Sequence, residues 1–148
     1  MKTVNKFSLK FPSKSANESF ARTVVSAFAA QLDPTIEEIS DIKTAVSEAV
    51  TNSIVHAYKN CVGDIYITCE QLETGAIRVK IRDKGCGIED VKKAMEPLYS
   101  SEGGERAGLG FSVMESFMDS LRVSSKLGKG TTVTMQKRIS VKKDVGKE

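Results

Sequence analysis

The chain has 148 residues, of which 40% are hydrophobic, enough for one complete core and too few for two ordinary domains. Its 22 basic and 19 acidic residues leave a formal charge of +3, and Lys137, Arg138, Lys142, Lys143 and Lys147 near the C-terminus account for that excess, so no nucleic-acid partner is indicated. Three cysteines without a C-x-x-C pair suit a reducing compartment, and no apolar run approaches a membrane span, so the expectation is a cytoplasmic protein with no membrane contact.

Phe7, Leu9 and Phe11 alternate with polar residues, which predicts a half-buried first strand ending before Pro12. Ser15 and Glu18 have capping-box spacing, and Phe20, Ala21, Val24, Val25, Phe28 and Leu32 then recur at helical spacing. Asp33 as N-cap and Pro34 in the first turn are expected to open a longer helix through Ile39, Ile42, Val46, Ala49 and Val50 to about Tyr58. Two alternating segments, Ile65/Ile67/Cys69 and Ile77/Val79/Ile81, meet around Thr74 and Gly75 and predict an antiparallel hairpin. The second runs into Asp83-Lys84-Gly85-Cys86-Gly87, with a short helix expected from about Glu89 to Met95. Pro97 to Ala107 has little apolar periodicity and is expected to be a mobile lid. Leu109, Val113, Met114 and Phe117 predict a further helix preceded by Gly108, and strands from Leu121 to Ser125 and from Thr131 to about Lys137 are joined through Gly128-Lys129-Gly130. This order predicts an α+β fold in one domain over residues 1–140: a mixed, mostly antiparallel sheet with helices gathered on one face. Residues 141–148 are charged and expected to form a disordered tail.

Glu48, Asn52 and His56 fall four apart on the long helix, so a carboxylate and an amide are aimed at one spot. Asp83 ends an apolar strand and is followed by Gly85 and Gly87, where the backbone turns sharply and a ligand can approach. An acid there accepts a hydrogen bond from an exocyclic amine such as adenine's. Gly108-Leu109-Gly110 before a helix points N–H groups and the positive end of the helix dipole toward an anion such as phosphate. Arg106 beside it can neutralise terminal-phosphate charge. Each pattern alone is weak. No G-x-x-x-x-G-K-[ST] occurs, nor the kinase set built on H-R-D and D-F-G, so nucleotide binding rests on another architecture.

In order along the chain, E-A-V-T-N-S-I-V-H-A-Y, D-K-G-C-G-I, R-A-G-L-G-F and G-K-G-T-T resemble the motifs of the Bergerat-fold ATP-binding superfamily of gyrase, histidine kinases and mismatch-repair proteins, which implies a two-layer α/β sandwich. Within it, N-E-S-F-A-R, A-Q-L-D-P-T, S-E-A-V-T-N and M-E-S-F-M-D are similar to the sporulation anti-sigma F factors, stand-alone serine kinases, over nearly the whole chain. The resemblance implies ATP and Mg²⁺, a homodimer, inhibition of a sporulation sigma factor, and phosphorylation of a serine on a small anti-anti-sigma partner. By motif, Asn52 resembles the Mg²⁺ ligand, Glu48 the general base and Asp83 the adenine reader, with Gly85 and Gly87 giving backbone clearance. Gly108, Leu109 and Gly110 resemble the phosphate cradle, and Thr131 and Thr132 the closing segment that supports adenine. Arg106 is the candidate lid cation, and Arg22 resembles the partner-contact residue on the first helix. Three other readings stand beside this one: a non-catalytic nucleotide-gated sigma-binding module, a general-stress anti-sigma kinase, and a detached catalytic domain acting on histidine. The lid segment Ser100 to Glu105 departs from the family's threonine- and proline-bearing lid. Cys86 reads as a packing residue, and Phe7, Phe11 and Phe28, generous for so small a core, suggest a dimer face on the first strand and helix.

Overall fold

The computed structural model describes residues 2–88, 90–94 and 106–140. Of the lid expected from Pro97 to Ala107, residues 97–105 lie outside the described residues and Arg106 and Ala107 are helical instead; the tail from Val141, Glu89 and Met95 of the expected short helix, and the side chains of Arg106 to Leu109 also lie outside.

Strand β1 (Thr3–Pro12) includes Pro12, paired with Asp64, because β1 is an edge strand and a proline there sacrifices no ladder bond. Helix α1 (Ala16–Ala29) buries Ala21, Val25, Phe28 and Ala29. The capping box expected at Ser15 does not form: Ser15 is already helical in its backbone and makes no side-chain cap, while Glu18 turns to Arg22 at 3.6 Å. A 3₁₀ turn, Ala30–Leu32, ends at Asp33 in the left-handed conformation, φ 57°, which an aspartate tolerates better than most residues. Asp33 therefore closes one helix instead of capping the next, and Pro34 stays outside. Thr35 is the N-cap of α2 (Ile36–Asn52), in a full capping box with Glu38: the Glu38 amide donates to Thr35 Oγ1 at 3.0 Å and the Thr35 amide to Glu38 Oε1 at 2.8 Å.

After Asn52 the helix widens into a π-turn, Ser53–Ala57, where the Tyr58 amide closes on the Ser53 carbonyl at 3.0 Å. Strands β2 (Asp64–Leu72) and β3 (Ala76–Asp83) form the expected hairpin through Gly75, φ 88°. Then come the short α3 (Val91–Ala94), α4 (Arg106–Phe117), β4 (Ser120–Lys126) and β5 (Gly130–Arg138). The sheet order is β1-β2-β3-β5-β4. Every pairing is antiparallel, so the parallel element anticipated by a mixed sheet is missing among the described residues. The reason is that β4 takes the edge and turns back, laying β5 antiparallel to both of its neighbours.

Leu9, Ile67, Ile81, Val133 and Val123 stand in register across all the strands, forming one apolar row on the face that the helices cover. Helix α2 packs between α1 and α4 and contributes Ile42, Val46, Ala49 and Val50, all but sealed from solvent. The other face is polar, with the Arg82 guanidinium 4.6 Å above the Tyr66 ring. Phe11 and Phe28 are buried, and the Phe7 ring meets Phe28 edge-on at 4.8 Å. Phe11 and Phe28 are thus core residues, each burial contributing about 1.5–3 kcal/mol, while Phe7 is partly buried and packs against the core from β1. Beyond β5, the Ser140 amide and hydroxyl both donate to Glu38 Oε2, tying the last strand to the start of α2.

Candidate functional site

Asp83 lies at the end of β3, 5% exposed, and three separate parts of the chain converge on its carboxylate. Oδ1 accepts from the Gly85 amide at 3.0 Å and the Thr131 amide at 3.2 Å; Oδ2 accepts from the Ser53 hydroxyl at 2.9 Å. The turn after Asp83 is fastened to the β4–β5 hairpin. The Ile88 amide donates to Ser125 Oγ at 2.8 Å, Ser125 Oγ and Thr131 Oγ1 share a hydrogen bond at 2.7 Å, and the Gly128 amide donates to the Cys86 carbonyl at 2.6 Å. The glycines here make room for the protein's own backbone: a Cβ on Gly85 would run into the Ala57 carbonyl, and one on Gly87, φ 75°, into the Lys126 carbonyl.

Glu48 and Asn52, one turn apart on α2, face α4 at Gly110. A Cβ on Gly110 would sit 3.3 Å from Glu48 Oε1 and from both Asn52 amide atoms, so the absence of a side chain lets the two helices meet there. Asn52 Nδ2 and Oδ1 are buried without a hydrogen-bond partner among the described residues. Orphaned buried polar atoms are costly, and in native proteins they mark a place reserved for a ligand, ion or water. Ser53, the next residue, is the one bonded to Asp83, so the amide and the strand-end acid are linked through adjacent residues. The structure therefore brings Glu48, Asn52, Asp83, Gly110 and Thr131 together.

Other expected site residues fall differently. Helix α4 begins at Arg106, so Gly108 and Leu109 are inside its first turn, not before it, and Gly110 is in the second. The first four amides of a helix lack an intrahelical acceptor; here they belong to Arg106 to Leu109, so the positive end of the dipole still starts in this segment. Thr132 is one residue from Thr131 and so on the opposite side of the pleat, opposite the exposed Arg82 and Ser124; it takes no part in the site. Cys86 is exposed, with its thiol 3.4 Å from the His56 carbonyl, and is no packing residue. Arg22 lines a groove of about 420 Å³ between α1 and α2, together with Ile36, Ile39, Lys43, Ser47 and Glu48, so it shares one surface with the carboxylate.

Three participants escaped the sequence reading. Ser53 and Ser125 are hydroxyls whose partners are distant in the chain; the available signal was a polar residue placed at an inward position, 4% exposed in the case of Ser53. Tyr58 donates to the Asp64 carbonyl at 2.7 Å and accepts from the Lys84 amide at 2.6 Å, clamping the π-turn to the end of β3. Burial pushes its phenol above the usual value.

The histidine kinase-like ATPase domain family matches residues 11–137. A solved structure of RsbU and RsbW domains from Mycobacterium tuberculosis superposes with a TM-score of 0.70 at 20% identity, covering 94% of this chain and 34% of that one; the likeness is one of fold. Fold and site together define an ATP-binding domain of the histidine-kinase type. The anti-sigma F factor of Caldanaerobacter subterraneus subsp. tengcongensis is 62% identical over 136 residues, spanning 91% of this chain and 94% of the relative. That of Clostridium acetobutylicum is 52% identical over 141 residues, spanning 95% and 98%. The chain belongs to the anti-sigma F factor family.

Proposed function

We propose that the protein holds and inhibits a sporulation sigma factor and, as a homodimer, uses ATP and Mg²⁺ to phosphorylate a serine of an anti-anti-sigma protein. The observation that carries this reading is the unpartnered Asn52 amide, enclosed between Glu48 and Gly110 and one residue from the Ser53–Asp83 bond. These residues fit the nucleotide and its metal. Asp83 offers an acceptor to an exocyclic amine, and Asn52 offers an amide oxygen to a hard cation. Mg²⁺ keeps most of its waters and takes few protein ligands, so a single amide oxygen is a fitting contribution from the protein. When bound, ATP with Mg²⁺ supplies the phosphoryl group and neutralises part of its charge.

The chain's own residues perform the rest. The first-turn amides of α4 hold phosphate oxygens, and Arg106 adds a positive charge at the terminal one. Glu48, a turn before Asn52, accepts the proton of the incoming serine hydroxyl, a weak nucleophile until a base takes that proton. Arg22 receives the partner protein. Because Arg22 and Glu48 line the same groove, a partner seated on the one presents its serine toward the other. A non-catalytic sigma-binding module has no use for a carboxylate at position 48.

The test is incubation of the protein with γ-labelled ATP, Mg²⁺ and an anti-anti-sigma protein, followed by phospho-amino-acid analysis. Acid-stable phosphoserine is expected. Acid-labile phosphohistidine, or tight sigma-factor binding with no transfer at all, would replace the serine-kinase reading.

A further inference from the structure

The acceptor capacity of Asp83 is almost fully used inside the protein. A carboxylate offers about four acceptor positions, two on each oxygen. The Gly85 and Thr131 amides fill Oδ1, and the Ser53 hydroxyl takes one position on Oδ2, so a single position is left. Two of these donors are main-chain groups held by the turn after β3 and by the β4–β5 hairpin. The third is a side chain, buried and set by the π-turn that Tyr58 closes.

We propose that Ser53 is a specificity-determining residue of the nucleotide site: by occupying one position on Asp83 Oδ2, it leaves the carboxylate able to take one donor and no more. The inference rests on Asp83 reading the base. Adenine presents one amino group beside the acceptor N1. Guanine presents two adjacent donors, N1–H and the 2-amino group, beside the acceptor O6. In a buried site the second guanine donor would be left without a partner, and an unpaired polar group is what makes a binding site selective. Hypoxanthine separates the two effects, having O6 and N1–H but no 2-amino group.

The experiment measures binding of the β,γ-imido forms of ATP, ITP and GTP to the full chain with Mg²⁺, by competition against a fluorescent adenine nucleotide. For the wild-type chain the expectation is ATP tighter than ITP by at least about tenfold, the scale of one hydrogen bond to a charged group, with GTP weaker still than ITP because its 2-amino group is left unpaired. Ser53→Ala opens the second position on Oδ2, so the GTP:ITP affinity ratio rises about fivefold over wild type, while Ser53→Thr keeps the hydroxyl and the wild-type ratio. A role in folding alone would weaken all three nucleotides together and leave the GTP:ITP ratio unmoved, which overturns the proposal but spares the adenine assignment. Wild-type protein that prefers GTP to ITP overturns it without any variant, and this comparison decides the matter if Ser53→Ala does not fold. Equal binding of ATP and ITP to wild type removes the assignment of Asp83 to adenine, and the proposal with it.

Discussion

Each site side chain is defined by what it touches. Glu48 and Asn52 were legible because an i,i+4 pair on a helix shares a face whatever the tertiary structure does, and Asp83 because a strand-end acid before two glycines is a local pattern. Ser53 and Ser125 were not, since their partners Asp83 and Ile88 are 30 and 37 residues away, and a lone serine carries no period. Glu48→Gln is expected to keep nucleotide affinity while phosphoryl transfer falls by about 100-fold or more, the usual contribution of a positioned base; single-turnover transfer with labelled ATP measures it. Gly110→Ala would place a methyl carbon 3.3 Å from Glu48 Oε1 and the Asn52 amide, tighter than ordinary contact. Its expected signature in equilibrium binding is weaker nucleotide affinity in a folded protein.

At the level of elements, helix α2 carries the site and its two ends explain how. The N-terminal end is pinned by the Thr35–Glu38 box and by Ser140. Partial burial works to raise the Glu38 carboxyl, but hydrogen bonds from Ser140 and Thr35 outweigh it and hold the group at about 2, against its ordinary 4.5. A carboxyl lowered on folding contributes stability that is complete above its unfolded value and disappears as pH falls through the folded one. Wild type is therefore expected to melt higher than Glu38→Gln at neutral pH, with the gap narrowing below about pH 4.5 and closing near pH 2; melts across that range check it. Thr35→Ala should cost about 1 kcal/mol in denaturant unfolding. The position of this cap was not legible: Asp33 carries an equally good capping side chain, and only the left-handed turn there, φ 57°, passes the role to Thr35. The π-turn was equally silent in the sequence, because nothing in Ser53 to Ala57 separates it from a continued helix, while Ser53 itself follows Val46, Ala49 and Val50 on the buried face of α2 and meets Asp83.

For the whole molecule, strand alternation revealed which residues face the core, and the apolar row from Leu9 to Val123 follows it directly. The sheet order did not follow from it, since alternation is blind to which strand lies next to which, and the placement of β5 between β3 and β4 decides whether Thr131 reaches Asp83. The same architecture lays Arg22 and Glu48 along one groove, the arrangement on which the proposed link between partner capture and chemistry rests. Arg22→Glu is expected to weaken sigma-factor pull-down at least about tenfold, as loss of a central charged contact does, with nucleotide binding unchanged. The claim beneath all of this is that α2, the end of β3 and the start of α4 enclose one adenine nucleotide. Calorimetric titration of ATP, with and without Mg²⁺, into wild type, Asn52→Ala and Asp83→Asn tests it most directly. Wild type should bind with a Mg²⁺-dependent gain, Asn52→Ala should lose that gain, and Asp83→Asn should lose affinity with or without the metal. Wild type that ignores ATP, or both variants titrating as wild type does, would contradict it.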